Sequence, residues 1–185
     1  MLSKVAEKVI GKNLIRFLVS THSFGDNQWA FTQERSARDL VTALVMKWVL
    51  AFCSGQKIGA HLSDISGAFD KVYKEYLLGK LQSMGVAEVY MNFLHEYLAP
   101  RRARVAVEGA LSESIQIMNS VFQGTVLGPP LWNAFFADVA LPARSCNGKE
   151  AMIADDLNVC HEFHRNAEYE SVMATLRSCH NAVHA

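Results

Sequence analysis

The sequence predicts a mixed α+β domain in which an antiparallel sheet is backed by helices. Apolar residues at three- and four-residue steps mark helices from the first residues to the last. Two stretches instead alternate around turn residues, 104–118 about Gly109 and 149–163 about Asp155-Asp156, as hairpins do. The order is helices, strand, helices, hairpin, helix, hairpin, helix, without repeat, low-complexity tract or linker. With 185 residues, 50% apolar and 19% charged, the chain can bury one real core.

Leu2, Val5, Ala6, Val9, Ile10, Leu14, Phe17 and Leu18 predict an amphipathic helix over 3–19 with Ser3 as its N-cap. Residues 22–31 form a loop. Ser36-Ala-Arg-Asp39 is a capping box opening a second helix to about Phe52, in which Met46, Trp48 and Phe52 read as core. This helix carries enough apolar surface to limit solubility if segments outside the chain normally cover it. Gly55-Gln56 turns into a strand over 57–65. A third helix, about 71–84, buries Val72, Tyr76, Leu77 and Leu81, with Gly85 just past its end. A shorter helix over 89–98 stops before Pro100. Gly124 to Leu141 reads as one helix with Pro129 and Pro130 in its opening turns, where missing donors are tolerated. The segment from Asn166 is helical.

Eighteen Lys+Arg balance eighteen Asp+Glu, so the chain lacks the basic excess of a free-standing nucleic-acid binder. Four scattered cysteines without a secretory signal predict a reducing, intracellular setting rather than a disulfide framework. The apolar run 40–53 is too short and too polar to span a membrane.

Three segments carry chemistry. Asp64 ends an apolar run that leads through Ile65-Ser-Gly-Ala-Phe-Asp70 into a helix. Gln123-Gly-Thr-Val-Leu-Gly-Pro129 is a glycine-bearing turn into another, and Ala154-Asp-Asp156 lies at a strand turn. Alone, the acidic pair reads as a solvated turn and Asp64 as a helix cap. Together they suit two divalent metals roughly 4 Å apart, clamping the attacking and leaving oxygens of a phosphoryl displacement. Adjacent strand residues face opposite ways, so a tight turn is needed to aim Asp155, Asp156 or both toward Asp64. Cys160, His161, His164, Cys179, His180 and His184 lack a Cys-x2-Cys knuckle and read as scattered rather than as a zinc site.

The ordered triple resembles reverse transcriptases, in particular those of non-LTR retrotransposons. Residues 64–72, 123–133 and 154–156 resemble the family's first, second and third palm motifs. Upstream, 2–10 and Gln28-Trp-Ala-Phe31 with Arg35-Ser36 also match, as do Tyr97-Leu98, Arg101 and 105–109 between the first two motifs. Ile153, Phe122 and Ser63 replace the commoner aromatic, Pro and Leu. The resemblance implies a polymerase palm over about 57–185, partial fingers over about 1–56, and no thumb. It implies Asp64 and Asp155 as metal ligands, Asp156 as the third palm carboxylate, and the Ile65 carbonyl as a ligand of the triphosphate-bound metal. Phe69 takes the place of the ribose gate, and Gln123 and Gly124 lie along template and nascent base pair. Arg101, Arg102 and Arg104 read as a solvated basic turn or as template-phosphate contacts.

The implied cofactor is a pair of Mg²⁺ ions, with Mn²⁺ as substitute. The implied partners are an RNA template, a DNA primer, dNTP, and the remaining fingers and thumb of a longer polyprotein. No membrane is implied, and an intact element would act in the nucleus. Because the family's triphosphate grip and thumb fall outside the chain, the isolated fragment is expected to be inactive. The alternatives are a decayed palm serving as relic or nucleic-acid-binding scaffold and, more remotely, a palm-like nucleotidyl cyclase.

Overall fold

The computed structural model describes residues 2–118 and 121–184, with the side chains of Leu2 and Ser3 outside the described set. The expected Ser3 cap therefore lies outside it. The elements are α1 (Leu2–Ser20), α2 (Ala37–Cys53), β1 (Gln56–Ser63), a 3₁₀ turn (Ala68–Lys71), α3 (Lys74–Ser83), α4 (Glu88–Tyr97), β2 (Arg101–Ala103), β3 (Ala106–Val107), β4 (Ala110–Leu111), β5 (Ile115–Ile117), α5 (Gly128–Phe136), α6 (Leu141–Ser145), β6 (Lys149–Ile153), β7 (Asp156–His164) and α7 (Tyr169–Val183). They fall into two compact units, each assembled from two stretches of chain: 1–23 with 67–135, and 24–66 with 136–185.

The first unit is mostly helical. Its core includes Leu14, Leu18, Val72, Leu77, Leu81, Leu94, Leu127, Leu131 and Trp132. The buried stripe of α1 differs from the expected one. Val5 and Val9 are exposed, and the inward face is Glu7, Gly11, Leu14 and Leu18. Two local facts turn the helix this way. A Cβ on Gly11 would lie 2.6 Å from a terminal methyl of Leu127, so a larger residue there would force that side chain to shift. The buried Glu7 carboxylate accepts from the Val126 and Leu127 amides at 2.7 and 3.3 Å.

Those amides open α5. The Gly128 N–H donates to Thr125 Oγ1 at 3.2 Å, Pro129 and Pro130 have none, and Leu131 N–H closes the first helical bond on Leu127 O. Every donor in this helix start is thus satisfied or absent. Glu7→Ala is expected to strand two amides and lower stability by about 1–3 kcal/mol, read as a shifted denaturant midpoint, whereas Val9→Ala on the exposed face should change little.

The expected helix 71–84 is broken. The Phe69 carbonyl accepts from Val121 N–H at 3.0 Å, and Val72 is extended, so the 3₁₀ turn stops and α3 starts afresh at Lys74. Val72, Leu77 and Leu81 are buried as expected, whereas Tyr76 is exposed and meets Phe135 edge-on at 5.9 Å. Gly85 follows α3 with φ +84°, the left-handed conformation that ends helices. The hairpin around Gly109 is longer than the alternation indicates. An outer pair, β2 with β5, extends the inner pair, β3 with β4.

The expected single helix 124–141 starts late and is two: Gly124 has φ +82° and α5 begins at Gly128, and turns closed by Val139 N–H on Phe136 O and Leu141 N–H on Asp138 O separate α5 from α6.

The second unit holds the antiparallel sheet, in the order β1-β7-β6. α2 and α7 both pack on β1. Ser36 caps α2 as expected, its hydroxyl accepting from Asp39 N–H at 3.3 Å. Met46 and Phe52 are corrected from core to surface, standing more than half exposed with Val41 and Leu50. Among the described residues no helix is long and apolar enough to cross a membrane.

Candidate active site

The carboxylates gather at one end of the three-stranded sheet because of its register. β1 runs antiparallel to β7 with Gln56 opposite His164 and Ser63 opposite Leu157. One step beyond Ser63 and Leu157 lie Asp64 and Asp156, at the open end of the ladder. β6 and β7 form a hairpin whose last pair is Ile153 with Asp156, leaving Ala154-Asp155 as a two-residue turn. Folding thus brings the third motif to the first, as expected.

Asp155 and Ile65 line one cavity of about 80 Å³, together with Ser63, Leu157 and His184. Asp64 and Asp156 are solvent-exposed and Asp155 is half-buried. The Asp156 carboxyl is pushed above the usual carboxylate range by desolvation, then by the charges of Asp155 and Asp64. In the free protein these like charges work against one another.

A tight turn carrying two carboxylates requires support. Ala154 has φ +55°, a conformation that costs a residue with a Cβ roughly 1–2 kcal/mol. Gln28, 1% exposed, holds it there: its Oε1 accepts from Ala154 N–H and Ala30 N–H at 3.0 Å each, and its Nε2 donates to Ala154 O at 3.3 Å. The loop is laced to β6 by Trp29 N–H on Met152 O and Met152 N–H on Asn27 O, both 2.8 Å. Asn27 Nδ2 and Arg144 Nε donate to Glu150 Oε1 at 2.7 and 2.5 Å. Burial acts to raise the Glu150 carboxyl; the hydrogen bonds from its own backbone, Asn27 and Arg144 outweigh it and hold it below the ordinary range. Composition and spacing did not reveal this brace. Its one sequence signal was Gln28 within the segment 28–31 that matched upstream of the palm motifs.

The other candidates lie in the helical unit. Phe69 is half-buried, its ring stacked on Trp132 with centroids 5.7 Å apart and planes at 27°. Gln123 and Gly124 are exposed, and nothing stands within 4 Å of where a Gly124 Cβ would be. A Cβ on Gly128, by contrast, would lie 2.8 Å from Phe122 O and 2.9 Å from Thr125 Oγ1. Arg101, Arg102 and Arg104 are exposed, but the first two sit in β2 rather than in a turn. Arg101 is committed locally. Its Nη2 donates to Tyr97 O at 2.6 Å, and its guanidinium lies 4.0 Å from the Phe122 ring centroid. Arg102 and Arg104 are exposed beside it.

The family described as reverse transcriptase (RNA-dependent DNA polymerase) matches residues 1–184. A probable RNA-directed DNA polymerase from transposon BS of Drosophila melanogaster is 30% identical, over 94% of this chain and 20% of its own length. That of the X-element from the same species is 28% identical, over 92% of this chain and 19% of its own length. The chain thus spans about a fifth of these relatives. Among solved structures, apo telomerase from Candida tropicalis, truncated from its C-terminal domain, superposes with a TM-score of 0.64 at 9% identity, covering 94% of this chain and 36% of that one. At that identity the likeness concerns the fold.

Proposed function

Since the chain belongs to the reverse transcriptase family, of the non-LTR retrotransposon type, we propose that Asp64, Asp155 and Asp156 form the metal-holding end of a palm that serves RNA-directed DNA synthesis. The family generally uses divalent metal ions. The carrying observation is the gathering of three carboxylates at one sheet end, with Asp156 pushed up in their company.

The donor set fits Mg²⁺, which takes oxygen ligands and commonly binds through one or two carboxylates and substrate phosphates. Asp64 and Asp155 would hold the ions, the Ile65 carbonyl would be the backbone ligand, and Asp156 would be the third carboxylate beside them. When bound, two such ions supply charge neutralisation for the leaving pyrophosphate and an acidified primer 3′-hydroxyl. The remaining work belongs to positioning. Phe69, its ring backed by Trp132, sets a flat wall against the sugar and disfavours a 2′-hydroxyl. Gln123 and the bare Gly124 backbone lie along the template and base pair, and Arg102 and Arg104 take template phosphates. The substrates are dNTP, an RNA template and a DNA primer 3′-end, and the rest of the longer polyprotein completes the enzyme.

Calorimetric titration of this chain with Mg²⁺ and Mn²⁺ tests the reading. Binding is expected to weaken in Asp64→Ala and again in Asp155→Ala, and the metal-free Asp156→Asn variant is expected to melt above the parent at neutral pH. The sign follows from the raised Asp156 carboxyl. The folded chain holds that proton more tightly than the unfolded one, so ionisation above the folded pKa disfavours folding, and the difference should vanish in acid. Unchanged metal binding in both alanine variants removes the assignment.

A further inference from the structure

Beside the carboxylate end, three imidazoles meet where α7 lies along β1, and one of them, His184, lines the same cavity as Asp155. α7 packs along this strand; at Gly59 a Cβ would stand 3.4 Å from the Leu176 methyls of α7 and 2.9 Å from the Phe163 ring of β7. Two residues along the strand and four along the helix, His61 meets His180, with ring centroids 5.3 Å apart and nearly perpendicular at 78°. The next step brings Ser63 Oγ to 3.2 Å from Nε2 of His184. The steps stay in phase because two strand residues advance about 6.6 Å and four helical residues about 6 Å. His184 lies 5.9 Å from the His61 ring and 4.5 Å from the His180 ring, centroid to centroid. One ring nitrogen from each of the three falls within 4.8 Å of the others.

We propose that His61, His180 and His184 form a binding site for a transition-metal ion of the Zn²⁺ class, separate from the carboxylates that would take Mg²⁺.

Four features support it. His61 Nε2 is buried and has no hydrogen-bond partner, a costly state for a ring nitrogen and one that coordination relieves. Burial first, then the neighbouring His180 and His184, lower the His61 pKa. His180 and His184 share one helix face at the i, i+4 spacing, and both are exposed. Three neutral imidazoles suit zinc, copper or nickel and not magnesium.

Zinc at about 2.0–2.1 Å from each nitrogen would draw them to roughly 3.3–3.4 Å apart. The exposed side chains in the last turn of α7 can close that gap by rotation. Coordination through Nδ1 of His184 would leave its Nε2 on Ser63, an outer hydrogen bond that orients a ligating imidazole. With three protein ligands, a fourth position stays open to water. Of the six residues that spacing alone suggested, only His180 and His184 belong; the third ligand, His61, comes from a distant strand.

The test is calorimetric titration of the chelator-stripped chain with Zn²⁺ in excess Mg²⁺, with Co²⁺ visible absorption as a second readout. The expected result is saturable single-site binding and an intense tetrahedral-type Co²⁺ band. His180→Ala and His184→Ala, both exposed and each checked for folding by circular dichroism, should each weaken binding by about 100-fold, since even outer partners are worth about 10–100-fold. Asp64→Asn should leave it intact, which separates this site from the carboxylates. No saturable binding, binding unchanged in both histidine variants, or binding lost in Asp64→Asn would each overturn the proposal.

Discussion

Asp64→Ala in the full-length polyprotein is expected to lower RNA-templated DNA synthesis by at least about 10²–10³-fold, the usual cost of removing one preorganised group that stabilises charge developing in a transition state. The loss should fall on kcat if, as proposed, Asp64 serves the reacting phosphate rather than the template. It should not come from misfolding, because Asp64 is exposed and lies past the last paired residue of β1. Removing one of three crowded negative charges relieves repulsion on Asp156, so the metal-free Asp64→Ala protein should be at least as stable as the parent. Loss of activity without loss of stability is the signature. A primer-extension assay on an RNA template, run beside thermal melts, reads both. Parent-level synthesis by Asp64→Ala would remove Asp64 from the chemistry.

Gln28→Leu is expected to do the opposite, harming stability and activity together. The leucine keeps most of the volume, but it removes the acceptor for two buried-side amides, on Ala30 and Ala154, and the donor to Ala154 O. Unsatisfied groups of this kind cost about 1–3 kcal/mol. They would also free Ala154 from its left-handed conformation, and the Asp155-Asp156 turn with it. Denaturant unfolding should show the lower midpoint, and metal affinity at the carboxylate end should fall although no proposed ligand has changed. Adding Ala154→Gly should restore part of the stability, because glycine holds a positive φ without strain. A Gln28→Leu protein with unaltered stability would show that the brace carries no load.

What spacing can reveal is local. Ser36 and Asp39 cap α2 because they are three residues apart, and Gly85 ends α3 because its missing Cβ permits the turn. Pro129 and Pro130 mark a helix start wherever it stands, and the alternation around Asp155-Asp156 is a hairpin on its own terms. The three motif segments were legible for the same reason, since each is a short run whose residue types suit one chemistry.

Other outcomes were decided by partners far along the chain. Which face of α1 turns inward depends on the Val126 and Leu127 amides, which draw in an acidic side chain against its apolar neighbours. The helix after Phe69 breaks because Val121 takes a carbonyl that the next turn would have used. Gln28 is an ordinary loop glutamine until β6 arrives beside it, and His61 is an ordinary strand histidine until α7 does. The sequence by itself determined the elements, their caps and the identity of the acidic residues, because those rest on backbone preference and periodicity within a few residues. Only tertiary structure decided which carboxylate faces which, what holds their turn, and which imidazoles meet. Those depend on sheet register and helix docking, where a one-residue slip would turn each side chain to the other face.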